Sequence, residues 1–184
     1  MSSRPHIVLP WTVRRTRLPL LNLRCVACHS GHATTGDGRF RVNANGKLLD
    51  VWLLVNCVHC DRTGKLTVHD RVPVRSLPPA LLNDYSANSP SLVARTLLDP
   101  AIARRNRFTP AWDGCWELHT PPVPEDPWPL QITVTFHDPV PLRPERLIAH
   151  GSGISRNEIA RRVKIDIPPN RRTTQDFSFI INPR

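Results

Sequence analysis

Two cysteine pairs, Cys25-Val26-Ala27-Cys28 and Cys57-Val58-His59-Cys60, constrain this chain more than anything else in it. Each CxxC can form a tight knuckle that presents two thiolates to one metal ion. Two knuckles set side by side complete a tetrahedral, four-sulfur shell of the kind that holds structural zinc. The segment between them supports that arrangement. Arg39-Phe40-Arg41-Val42-Asn43 and Lys47 to Val55 read as two strands joined through Asn43-Ala44-Asn45-Gly46, because Asn-Gly tolerates the positive φ that a primed hairpin turn demands. The stretch from His29 to Gly38 reads as a loop, Thr63-Gly64-Lys65 as a turn, and Leu66 to His69 as a third strand. Knuckle, hairpin, knuckle and strand together give the layout of an antiparallel zinc ribbon.

Alternative uses of these side chains remain open at this point. A thioredoxin-type redox site needs one CxxC at a helix N-terminus, and neither pair is followed by a helical pattern. His29, His32, His59 and His69 lie close enough in sequence to stand in for a cysteine ligand, although four thiolates already fill the shell. Cys115, outside either pair and next to Trp116, reads as a small buried hydrophobe.

The charge balance points to an anionic partner. The chain has 25 Lys+Arg against 15 Asp+Glu, a formal +10. Four thiolates and a divalent ion lower this to about +8. Most of the cations are arginines, whose planar fork suits phosphate. Five cysteines, four of them in CxxC pairs, fit a reducing cytoplasm. The N-terminal residues show no signal-peptide pattern, and no stretch reads as a membrane span.

Around the ribbon, residues 7–24 carry Trp11 and alternate apolar with basic residues, as expected of an edge strand leading into the first knuckle. Arg14, Arg15, Arg17 and Arg24 would form a basic strip beside it. The middle of the chain turns helical. Leu77 to Tyr85 is a short helix opened by proline. Ser89 to Leu98 is a second, with Ser89 as N-cap, Pro90 at the first position, and Leu92, Val93, Thr96 and Leu97 on its packing face. Arg104, Arg105 and Arg107 follow Pro100. From Thr109 to Pro129 the chain is rich in proline and in tryptophan, with Trp112, Trp116 and Trp128 available for a core or for stacking on bases. Leu130 to Phe136 alternates as a half-buried strand should.

Near the C-terminus, Ser155-Arg156-Asn157-Glu158 is a capping box, and the helix it opens is expected to run to about Lys164, with Ile159 and Val163 facing a core. Glu158 and Arg162 stand four apart and can pair. A helix over about Arg143 to His150 precedes it across Gly151-Ser152-Gly153. This helix, glycine turn and arginine-rich helix resembles the alpha-L RNA-binding motif of a small-subunit ribosomal protein, tyrosyl-tRNA synthetases and many pseudouridine synthases. The resemblance implies that Arg143, Arg146, Arg156, Arg161 and Lys164 face RNA phosphates. The chain departs from that family at Pro144, and also over Ile165 to Arg172, where a glycine-bearing hairpin is usual.

At full length the sequence also resembles a bacterial family known as domain of unknown function 1062. The residues that carry this likeness are the Trp11 segment, the two CxxC pairs, Phe40 to Leu53, Asp70-Arg71-Val72 and Ser155-Arg156.

The expectation is therefore an α+β protein in three parts: a zinc ribbon with an N-terminal strand over 1–76, a helical and Pro/Trp-rich connector over 77–129, and a small α+β module over 130–184. Its expected work is non-catalytic binding of structured RNA or the ribosome, with Zn2+ in a structural role, the metal ligands being Cys25, Cys28, Cys57 and Cys60. Arg39 and Arg41 on the ribbon join the C-terminal cations as RNA contacts, and no small-molecule substrate is expected. A DNA-binding regulator and a ribbon that docks a protein partner are the competing classes. An enzyme has the least support, because no phosphate-cradling glycine loop, HExxH or well-set carboxylate pair is present.

Overall fold

Alternation of apolar and polar residues dominates this chain, and in the computed structural model, which describes residues 7–122 and 129–183, strands outweigh helices. Contacts divide it into two units: Leu18–Asp113, and the flanking segments Met1–Arg17 with Gly114–Arg184. This differs from the three-part division expected over 1–76, 77–129 and 130–184. The reason lies in the first strand.

That strand, β1 (Ile7–Arg15), is not an edge leading into the knuckle. The sheet of the flanking unit has the order β7-β1-β8-β10-β9, comprising also β7 (Trp116–His119), β8 (Leu130–Phe136), β9 (Val163–Ile165) and β10 (Phe177–Ile181). β1 runs parallel to β8, with Leu9 opposite Ile132 and Trp11 opposite Val134, and antiparallel to β7. Leu9, Trp11 and Val13 are buried on one face together with Leu130, Ile132, Val134, Phe177, Phe179 and Ile181. Trp11 meets Phe179 edge-on at 5.4 Å between ring centroids.

Helix α4 (Pro144–Ser152) lies over this core with Leu147 and Ile148 buried. Its Gly151 allows the close approach, since a Cβ there would come within 2.5 Å of the Trp11 ring. Ser152 and Gly151, expected in the turn, close this helix, and Gly153 at φ +70° ends it. Helix α5 (Arg156–Arg162) has the expected capping box in full. The Glu158 amide donates to Ser155 Oγ at 3.3 Å and the Ser155 amide donates to Glu158 Oε2 at 3.1 Å. Glu158 and Arg162 pair at 3.7 Å. The helix ends two residues earlier than expected, because Val163 and Lys164 join β9, which pairs with β10.

Arg15 is also spent inside this unit, rather than on a basic strip. Its amide donates to Asp138 Oδ2 at 3.1 Å and its guanidinium lies 3.5 Å from Oδ1. Partial burial tends to raise the Asp138 pKa, but the Arg15 amide, His137 and the Arg15 charge outweigh it and hold the carboxyl below its usual range. A depressed folded-state pKa means that the unfolded chain binds the extra proton. This contribution to stability is therefore present above the unfolded value of about 3.9 and is lost as pH falls through the folded value. Acid titration of the melting temperature should show that loss in the parent protein, and an Asp138→Asn variant should show a flatter profile below about pH 4.

The Leu18–Asp113 unit is built on an antiparallel sheet of order β5-β4-β3-β2-β6: β2 (Leu20–Asn22), β3 (His32–Asn45), β4 (Leu48–Cys57), β5 (Thr63–Pro73) and β6 (Thr109–Ala111). The expected hairpin is present one residue later. Asn45 pairs with Leu48, so Gly46 and Lys47 form the turn, with Gly46 at φ +61° in the first central position. Gly64 and Lys65, expected in a turn, lie within β5.

β3 begins inside the expected loop because its irregularity is local. Its register slips between Thr34 and Arg39, where Gly36 and Gly38 both adopt positive φ. A Cβ on Gly38 would strike Val93 at 2.7 Å.

Three short helices follow β5: α1 (Pro79–Ser86), α2 (Pro90–Leu98) and α3 (Pro100–Asn106). Leu92, Val93, Thr96 and Leu97 of α2 are buried as expected, and the core also takes Leu21, Val51, Leu53, Val55, Leu66, Val68 and Tyr85. Ser89 makes no side-chain cap to α2; its hydroxyl meets Ser91 instead. Asp99 caps α3 by accepting from the Ala101 and Ile102 amides.

The tryptophans of 109–129 split between the units. Trp112 is buried in this one, whereas Trp116 in the other is half-buried against His150. Trp128 and the N-terminal residues before Ile7 lie outside the described residues.

Candidate metal centre and basic faces

The two CxxC segments have the same sequence length and the same local chemistry, and they fold alike. In the first, between β2 and β3, the Cys25 amide donates to the Ser30 carbonyl, the His29 amide donates to the Cys25 carbonyl at 3.1 Å, and the Ala27 amide points at Cys25 Sγ at 3.4 Å. In the second, between β4 and β5, the Cys57 amide donates to Arg62, the Asp61 amide to Cys57 at 3.1 Å, and the His59 amide to Cys57 Sγ at 3.4 Å. The residue after each pair, His29 or Asp61, takes a positive φ of 60° or 54°. Pairing of Ala33 with Cys57 and donation from the Val58 amide to the His32 carbonyl bring the knuckles together.

Four sulfurs converge as a result. Cys25 and Cys60 Sγ are 3.7 Å apart, Cys28 and Cys57 Sγ are 3.5 Å apart, and all four lie within 4.8 Å of one another. A disulfide needs about 2.0 Å. The edge of a tetrahedron with metal–sulfur bonds of about 2.3 Å is about 3.8 Å. The spacing thus fits a shared metal ion, and an all-thiolate tetrahedron suits zinc or iron.

Backbone amides and neighbouring sulfurs pull these thiols in different directions. Amides of Cys60 and His59 draw Cys57 down to about 6, and amides of Cys28 and Ala27 lower Cys25. The Ser30 amide also pulls on Cys28, yet burial and the adjoining sulfurs of Cys57, Cys60 and Cys25 prevail and push it up to about 12. A shared cation would favour the thiolate form of its ligands.

Among the described residues this cysteine quartet is the group of histidine, cysteine and acidic side chains that could hold a metal. His29, His32 and His59 stay exposed outside it. His69 is engaged elsewhere, its Nε2 being 2.9 Å from the Tyr85 hydroxyl. Cys115 is buried in the other unit and is not a member.

All seven cations expected to contact RNA are exposed. The structure does not gather them on one unit. Arg143 precedes α4, Arg146 lies on it, Arg156 and Arg161 are on α5, and Lys164 is on β9; all five belong to the flanking unit. Arg156 reaches Glu145 at 3.9 Å.

Arg39 and Arg41 project from β3 of the cysteine-bearing sheet, on the face opposite its core. Arg41 stands directly across from Trp52, and Arg39 from Leu54. On the next strand Lys65 is level with Leu54, and its Nζ sits 4.8 Å from the centre of the Trp52 ring. This association of Lys65 and Trp52 with the two arginines was not expected from the sequence. The available signal was alternation, since Val51, Leu53 and Val55 inward require Trp52 and Leu54 outward.

No helix among the described residues is long and apolar enough to cross a membrane. No curated protein and no solved structure matches the chain. The family described as Protein of unknown function (DUF1062) matches residues 42–167, which take in β4 with its hairpin turn, the second knuckle and the capping box of α5, and the chain belongs to that family.

Proposed function

We propose that this is a non-catalytic, zinc-binding cytoplasmic protein that binds structured RNA, such as that of the ribosome. The quartet offers four sulfurs and leaves no coordination position for a substrate, which is the arrangement of structural zinc in ribbon-like folds. The observation that carries the reading is the outward sheet face, where Arg41 stands across from Trp52, Lys65 lies over its ring, and Arg39 is opposite the neighbouring Leu54. Guanidinium and ammonium groups supply phosphate contacts, and an indole supplies a stacking surface for an unpaired base. The exposed cations of α4, α5 and β9 add a second phosphate-binding face of the alpha-L type.

Binding of a labelled ribosomal RNA fragment to the zinc-loaded protein should weaken steeply with salt, because each neutralised phosphate releases counterions. Replacing Arg39 and Arg41 together by alanine should reduce the slope of log K against log salt by about two. Salt-independent binding, or none at low ionic strength, would overturn the proposal. Stronger competition by duplex DNA would favour a transcriptional regulator, and a stoichiometric protein that survives nuclease treatment would favour a protein-interaction ribbon.

A further inference from the structure

Between β5 and the helices α1, α2 and α3, on the side of the sheet away from Trp52, lies an open cavity of about 850 Å³. Its size falls within the range of small-molecule sites, about 300–1,000 Å³. Side chains of Val72, Leu81, Leu92 and Ile102 give it apolar walls. Polar groups make up most of the rest of the lining. The Tyr85 hydroxyl and His69 Nε2 are 2.9 Å apart, and Tyr85 is fixed edge-on against both Phe40 and His69. Burial first, then the charge of Arg105, lowers the His69 pKa; burial raises that of Tyr85 against the opposing pull of Arg95. The pair is therefore neutral at physiological pH, and the fixed charges of the cavity come from its four other ionisable groups.

Those are Arg95, Arg105, Asp70 and Asp99. The Asp99 carboxylate is committed to the first turn of α3, where Oδ1 accepts from the Ala101 and Ile102 amides. Asp70 on β5 is exposed, as are Arg95 and Arg105, so these three groups stand where the cavity opens to solvent. Arg105 gives one N–H to the Val68 carbonyl at 3.1 Å, out of the five N–H groups a guanidinium carries. The lining thus holds donors in excess of acceptors. We propose that this cavity binds a small organic anion, a carboxylate or phosphate ester on an apolar body, with Arg95 and Arg105 taking the charged end and the His69–Tyr85 pair forming its polar floor.

The probe is 8-anilinonaphthalene-1-sulfonate, an anion on an apolar body, titrated into the zinc-loaded full chain. One saturable site per chain is expected, and Arg95→Gln should weaken it about tenfold, the cost of one charge-assisted contact. Leu81→Trp should crowd the apolar wall and weaken dye binding, with zinc content and melting temperature checking that each variant is folded. Octanoate and phenyl phosphate then serve as competitors. Displacement by either one, but not by octanol at equal concentration, supports the site and tells carboxylate from phosphate. Displacement by octanol equal to that by the anions, or dye affinity unchanged in folded Arg95→Gln and Leu81→Trp, would overturn it.

Discussion

Cys57→Ser, or removal of the metal by a chelator, is expected to unfold the sheet of the Leu18–Asp113 unit. Cys57 is the last residue of β4 and is buried, so its knuckle turns the chain from β4 into β5. Its partner knuckle does the same between β2 and β3. A cation shared by the four sulfurs would offset their charge and hold these turns against one another. Structural zinc in small domains is worth about 10–16 kcal/mol of apparent binding free energy, comparable with the entire stability of an ordinary domain, about 5–15 kcal/mol.

Hydrogen exchange on the chelated protein should accordingly show lost protection across β3, β4 and β5. Metal analysis should give one ion per chain in the parent and in a Cys115→Ala control, and none in Cys57→Ser. Stability should also fall with pH as protons compete for the thiolates, earlier in a low-zinc buffer than in a zinc-rich one. An apoprotein whose β3–β5 amides exchange as slowly as those of the metal-loaded form would sink the structural role.

Trp11→Ala carries the second large effect, in the other unit. The indole is 2% exposed, lies in β1 between β7 and β8, packs edge-on to Phe179 and receives α4 at Gly151. Truncation leaves a cavity that a glycine opposite cannot fill. Such losses cost about 3–5 kcal/mol in well-packed cores. For a chain of this length that is roughly 10 °C in melting temperature. Trp11→Phe keeps most of the volume and should lose less than half as much. Denaturant unfolding followed by far-ultraviolet circular dichroism measures both, and a loss below about 1 kcal/mol for the alanine variant would show that Trp11 is not a core anchor.

What could be read from the sequence was what its short segments decide for themselves. Each knuckle is closed by bonds spanning at most five residues, the capping box by bonds spanning three, and β8 and the buried face of α2 follow from period alone. Strand partners are different. Trp11 and its neighbours alternate in the same way whether they flank a ribbon or pair in parallel with residues near 132, so the local pattern could not assign β1 to its sheet. The contact boundaries near Leu18 and Asp113 follow from that pairing and not from a local shift in composition.

The start of β3 was obscured by Gly36, Asp37 and Gly38, which look like a loop because they form an irregularity within a strand. The Lys65–Trp52 contact and the His69–Tyr85 pair join residues 13 and 16 positions apart, through strand register in one case and helix docking in the other. Composition carries no trace of either.

The parallel pairing of β1 with β8 also fixes an order of events during synthesis. β1 leaves the ribosome first, yet its central partner follows only after roughly 115 further residues, on the order of 6–20 s at about 5–20 residues per second. The Leu18–Asp113 segment is complete before then, and its entry and exit strands, β2 and β6, pair with each other directly. The nascent chain thus passes through a stage in which the cysteine-bearing unit can close while Leu9, Trp11 and Val13 wait on an unpaired strand. If the proposed zinc is what closes that unit, synthesis in zinc-starved cells would lengthen the list of unfinished strands, making early aggregation, rather than loss of a mature protein, the first sign of metal shortage.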